Sequence, residues 1–128
     1  MLKTKNFSLE TDKYLQCQCG HKDCDKPVVL QVVLNAIQKI RDDLGEPMTI
    51  TSGGRCKHHP NEIYKSKPGD HQKCYAVDVK CRTKTLETKL KVLAGRHGAT
   101  RVAGSAEDGF VHIAFTPTTR TDVPTWLY

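Results

Sequence analysis

Two short segments of this chain alternate apolar residues with others, and this pattern restricts how they can lie in a sheet. In YAVDVKC (75–81) apolar side chains alternate with Asp78, and in FVHIAF (110–115) they alternate with His112. Successive side chains of a strand point to opposite faces. Each strand can therefore bury one apolar face and present a potential metal ligand, beside a small alanine, on the other. If the strands are near neighbours, Asp78 and His112 share a groove, and His71 in the preceding loop can fold over it.

Two helices accompany these strands. Apolar residues recur at three- and four-residue steps from Val29 to Leu44, with Asp25 as a cap, Pro27 in the first turn and Gly45 at the end. A second helix is predicted from Thr83 or Thr85 to Gly98, and weaker strands at 48–51 and 100–103. This order predicts an α+β fold, a small and mostly antiparallel sheet with two main helices packed on it.

Length and composition set the broad class. The 128 residues suit a single domain, 1–128, that opens with an irregular, cysteine-rich segment at 1–24. No apolar run approaches the roughly 20 residues of a membrane helix, and the start lacks the features of a signal peptide. We therefore expect synthesis in a cytoplasm, no membrane partner and a monomer. The net charge of +6 is scattered, without the basic stripe of a nucleic-acid-binding surface.

The candidate ligands define a chemistry. Two neutral imidazoles and one carboxylate form a zinc site of three protein ligands with an open fourth position. Zinc in such a site lowers the pKa of bound water to about 7 and polarises a carbonyl for attack. The alternative is a packed strand histidine and an aspartate that caps a turn.

Three motifs together resemble the zinc D-Ala-D-Ala carboxypeptidase family of peptidoglycan peptidases, whose fold is shared with lysostaphin-type enzymes and the hedgehog signalling domain. They are SGGRC at 52–56, the pair His71 and Asp78 in HQKCYAVD, and VHIAF at 111–115. The N-terminal stretch with its CQCG is similar to that of small phage members. The chain departs from the family pattern at Gly69, where the family has serine, and at Cys74, where it has glycine.

The resemblance implies roles for individual residues. His71, Asp78 and His112 would hold one catalytic zinc, and Arg55 would bind a substrate carboxylate or carbonyl oxygen. Relatives often carry an acid three residues before the last histidine, where this chain has Gly109. The nearest acids are Asp108, which we favour as the catalytic base, and Glu107.

The six cysteines raise a separate question. Cys17, Cys19, His21 and Cys24 in CQCGHKDC offer four donors for a second, structural zinc, although their spacing matches no standard zinc motif. Otherwise they are reduced thiols, or one of them pairs with Cys56, Cys74 or Cys81.

The resulting hypothesis is a zinc metallopeptidase that hydrolyses peptidoglycan stem peptides. We favour a phage endolysin-like L-Ala–D-Glu endopeptidase, made in the host cytoplasm and reaching the wall through a holin or as part of a virion. The alternatives are a D-Ala-D-Ala carboxypeptidase and a non-catalytic, zinc-containing wall-binding or virion structural domain. A zinc-dependent nucleic-acid binder built on CQCGHKDC is a further rival, against which the absence of a basic stripe counts.

Overall fold

The computed structural model describes residues 2–117. Its central element is one antiparallel sheet of four strands. The strands are β1 (Ile50–Ser52), β2 (Ala76–Lys80), β3 (Arg101–Ser105) and β4 (Phe110–Ala114), in the spatial order β1-β2-β4-β3. Two helices accompany the sheet: α1 (Gln31–Leu44) precedes β1, and α2 (Lys84–Arg96) connects β2 to β3. The predicted α+β class is confirmed, with a sheet that is antiparallel at every pairing.

The alternation of β2 and β4 separates core from cleft. Val77, Val79, Val111 and Ile113 are at most 1% exposed and belong to the same apolar cluster as the inner faces of both helices. Asp78 and His112 occupy the intervening positions on the other face. The core side of the sheet therefore anchors the two strands whose opposite side carries the candidate ligands.

The first helix starts later than the sequence predicts. It begins at Gln31, with Leu30 in an extended conformation before it and no side-chain cap from Asp25. Residues 27–29 pair instead with the N-terminal segment: Cys17 N–H donates to Pro27 O and Val29 N–H donates to Leu15 O. Val29 is buried as an extended core residue rather than as part of the helix. Gly45 does end the helix, in a left-handed conformation, and Thr83 caps α2 by accepting from Leu86 N–H.

The loop after β1 runs against the N-terminal segment. A Cβ at Gly53 would lie 2.7 Å from Tyr14 O, and one at Gly54 would lie 2.4 Å from Pro27 O. Only glycine permits so close an approach of two backbones. The loop then returns through turns to His71 and β2. Within residues 2–117, neither helix is long and apolar enough to cross a membrane.

Candidate metal centre

The register of the central strand pair brings two predicted ligands together. Asp78 of β2 and His112 of β4 are direct Cα partners. Asp78 Oδ1 and His112 Nδ1 lie 3.0 Å apart. Both side chains are largely buried, with 9% and 15% of their surface exposed. The strand alternation read from the sequence therefore places them on one face.

His71 completes the group from the loop that enters β2. Its Nε2 lies 3.0 Å from Asp78 Oδ1 and 3.1 Å from His112 Nδ1. Zinc bonds of roughly 2.0–2.1 Å in tetrahedral geometry separate ligand atoms by about 3.3 Å. Three donors of the types that zinc prefers already lie near this spacing, so the residues fit a zinc ion with little rearrangement.

Second partners set the orientation of both imidazoles. His71 Nδ1 lies 2.7 Å from Gly53 O. Because a carbonyl oxygen can only accept, Nδ1 carries the hydrogen and Nε2 keeps its lone pair for a metal. His112 Nε2 lies 3.1 Å from Asp70 Oδ2, which orients its Nδ1 in the same way. Such carbonyl and carboxylate partners are typical of histidines that bind metals.

Asp70 is the residue that sequence reasoning missed. It directly precedes His71 in a turn, and it is buried. Its Oδ1 accepts from Thr116 Oγ1 at 2.6 Å, and its Oδ2 accepts from Arg101 Nη1 at 3.0 Å. An acid directly before His71 was the only signal in the sequence, and its bond to a histidine 42 residues away depends on tertiary structure.

Hydrogen bonds within the group shift the pKa values of Asp78 and His112. Burial acts to raise the pKa of Asp78, but hydrogen bonds to His112 and His71 outweigh it and hold the pKa well below its usual range. Burial likewise acts to lower the pKa of His112, but its hydrogen bonds to Asp70 and Asp78 raise it to about 9. The carboxylates thus favour positive charge on His112, and a zinc ion bound at Nδ1 would displace the proton there.

Arg55 lies against the ligands rather than free in the cleft. Its Nη2 is 3.4 Å from Asp78 Oδ2, its Nη1 is 3.2 Å from the buried Glu62 Oε2, and its Nε donates to Ser52 Oγ. Guanidinium has five N–H groups, so these three contacts leave two for a substrate. The structure therefore gives Arg55 a role in holding Asp78, and substrate binding remains a prediction.

A cleft of about 570 Å³ opens over the three ligands. Asp108 lies in its lining, whereas Glu107 does not. Asp108 Oδ2 accepts from Ser105 Oγ at 3.0 Å, which leaves Oδ1 available. Of the two acids, Asp108 is the one that lines the cleft, and the role of either as catalytic base stays a prediction.

A family model for peptidase M15 matches residues 6–114, a stretch that contains all three ligands, Arg55 and Asp108. The chain belongs to the peptidase M15 family. The resemblance inferred from the sequence motifs is thereby confirmed, and this peptidase M15 chain is a metallopeptidase by family. No curated protein matches it.

The cysteines of this peptidase M15 chain gather differently from the prediction. Four sulfur atoms lie within 4.8 Å of one another, those of Cys17, Cys19, Cys24 and Cys56. His21, which we expected as the fourth ligand, lies outside this cluster and stacks on His58 at 4.1 Å between ring centroids. Cys56 takes its place: it is distant from the other three cysteines in the chain, but the loop after β1 places its sulfur atom beside theirs.

Proposed function

We propose that this peptidase M15 chain is a zinc peptidase that hydrolyses peptidoglycan stem peptides, with His71, Asp78 and His112 as the zinc ligands. The observation that carries the proposal is the convergence of three ligand atoms at 3.0–3.1 Å in the floor of a cleft. Family members are zinc-dependent, which agrees with this donor set. Zinc bound there supplies a Lewis acid that activates water near neutral pH and polarises a carbonyl.

The protein's own groups would then handle orientation and protons. Asp108 Oδ1 would accept the proton of the attacking water and return it to the leaving amine, as a general base and then a general acid. The two spare N–H groups of Arg55 would bind a carboxylate of the stem peptide or the oxygen of the scissile carbonyl. Arg101, which also lines the cleft, adds positive charge that suits an acidic peptide.

For the bond itself we favour L-Ala–D-Glu, in a phage endolysin-like protein. This assignment rests on the likeness to small phage members, and the net charge of +6 agrees with an anionic wall as the target. D-Ala-D-Ala carboxypeptidase activity would use the same zinc site and is the alternative outcome of the test.

Digestion of purified peptidoglycan, followed by mass spectrometry of the soluble products, tests the proposal. We expect stem peptides freed at L-Ala–D-Glu, loss of activity after chelation and its return with Zn²⁺. His112→Ala removes a ligand and should reduce activity by about a thousandfold, since a catalytic metal supplies several kcal/mol. His97→Ala, which removes a contact to Asp43 on α1, is the matched control. Free D-Ala as the sole product would replace the endopeptidase by a carboxypeptidase, and undiminished digestion after chelation would refute the zinc mechanism.

A further inference from the structure

The four-cysteine cluster lies outside the cleft and is not used by the proposed reaction. It joins three cysteines of the N-terminal segment to Cys56, 37 residues after Cys19. Cys19 Sγ and Cys56 Sγ are 3.4 Å apart, well beyond the roughly 2.05 Å of a disulfide bond. All six cysteines are free thiols in the structure.

The spacing of the sulfurs suits a metal ion. Four thiolates at about 2.3 Å from a tetrahedral zinc lie about 3.8 Å from one another. The observed separations, from 3.4 Å for the Cys19–Cys56 pair to at most 4.8 Å, bracket that value. Among residues 2–117, no histidine, aspartate or glutamate joins the group, so its donors are sulfur alone.

Backbone amides are already directed at the sulfurs. Lys26 N–H donates to Cys24 Sγ at 3.3 Å, His21 N–H to Cys19 Sγ at 3.5 Å, and Cys56 N–H to Cys17 Sγ at 3.4 Å. Hydrogen bonds of this kind stabilise negative charge on the sulfur. Lys26 also has a left-handed φ of 52°, which is unusual for a lysine.

We infer that Cys17, Cys19, Cys24 and Cys56 bind a second, structural zinc ion that fastens the N-terminal segment to the loop after β1. Binding forms four Zn–S bonds and releases the thiol protons to solvent, with no oxidant required. Four protein ligands leave no open position, so this ion has no catalytic role.

The loop held by this cluster also contacts the candidate ligands in the cleft. Gly53, whose carbonyl orients His71, and Arg55, which holds Asp78, lie within three residues of Cys56. Arg55 N–H also donates to His71 O. The structural ion therefore fixes a segment that positions two of the three ligands in the catalytic site.

Cobalt substitution of the reduced, full-length chain tests the inference separately from the proposed function. Thiolates bound to Co²⁺ give an intense sulfur-to-metal charge-transfer band in the near ultraviolet, which the nitrogen and oxygen donors of the cleft cannot give. We expect this band in the wild-type chain and, undiminished, in His112→Ala. Zinc analysis should give about two ions per chain for the wild type and about one for either His112→Ala or Cys24→Ser.

Single variants separate this ligand set from the one predicted by sequence. Cys56→Ser should weaken the charge-transfer band and lower the melting temperature, whereas His21→Ala should leave both unchanged. A wild-type chain without the band, or one that isolates with a Cys19–Cys56 disulfide and no bound metal, would overturn the inference even if the peptidase is active. Retention of the band in an inactive protein would support it and count only against the proposed function.

Discussion

Asp78 and His112 face each other directly across the β2–β4 pair, with Oδ1 and Nδ1 3.0 Å apart. Because side chains alternate between faces, a slip of one residue in this register would send one of them into the apolar core. The burial of Val77, Val79, Val111 and Ile113 thus fixes the register, and the register fixes the distance between two candidate metal ligands.

Asp70 should control metal affinity without touching the metal. In Asp70→Asn the residue at 70 can still accept from His112 Nε2 but loses its charge, which makes the imidazole a weaker ligand. We expect zinc affinity at the cleft to fall by about tenfold to a hundredfold, measured by competition with a chelator. Arg101→Ala removes another partner of Asp70 and is the control. Equal affinities for Asp70→Asn and the wild type would show that the contact does not tune the metal.

Asp108 and Glu107 should differ in their effect on turnover. Asp108→Asn removes the group that moves the proton, so we expect kcat to fall by about a hundredfold to ten-thousandfold while zinc content stays unchanged. Glu107→Gln alters the neighbouring acid, which lies outside the cleft lining, and should retain activity. The reverse result would transfer the role to Glu107, and full activity in both variants would exclude this turn as the source of the base.

Cys74 occupies a strained backbone conformation. Its φ is +66°, at the position where the family pattern has glycine. A side chain in this conformation destabilises the folded state by roughly 1–2 kcal/mol. Glycine removes that strain but is also more flexible in the unfolded chain, which offsets part of the gain in stability. We expect Cys74→Gly to be more stable to urea than Cys74→Ala, which loses the same thiol but keeps the strain. An alanine variant as stable as the glycine variant would mean that the strain does not exceed the stability that glycine loses through its flexibility in the unfolded chain.

Glu87 should give the fold an acid-sensitive contact. Its carboxylate accepts from Ala106 N–H at 2.9 Å and pairs with Lys84 and Lys91. These contacts, the backbone bond first, lower the pKa of Glu87 from 4.5 to about 2. The carboxyl group is thus more acidic when folded, so its stabilisation is fully present above pH 4.5 and is lost as the pH falls towards 2.

Urea unfolding of Glu87→Gln at several pH values measures this effect. We expect the variant to be less stable than the wild type at pH 7 and the difference to shrink steadily below pH 4.5. Glu46→Gln, on an exposed residue after α1, is the control. A destabilisation that persists unchanged at pH 2 would assign the effect to packing rather than charge.

Features that are set by residues close together in the chain could be predicted from the sequence. The alternation of β2 and β4, the glycine end of α1 and the threonine cap of α2 are each set by residues close in the chain, and all three are found. The start of α1 was wrong because Pro27 and Val29 pair with a distant segment, which no periodic pattern reveals. Asp70 was missed as a partner of His112, and Cys56 was expected only as a possible pairing partner and not as a metal ligand, because each acquires its role from a residue more than 35 positions away.

The bond from Glu87 to Ala106 has a consequence for how the cleft can change. The turn that bears Asp108 is braced by α2, whereas the three ligands stand on β2, β4 and the loop before β2. The same turn leads directly into β4, so Asp108 is held both by α2 and by the strand that carries His112. Lengthening or shortening this turn would move the acid relative to α2 and to the start of β4, while the pairing of β2 with β4 would still hold Asp78 and His112 opposite each other.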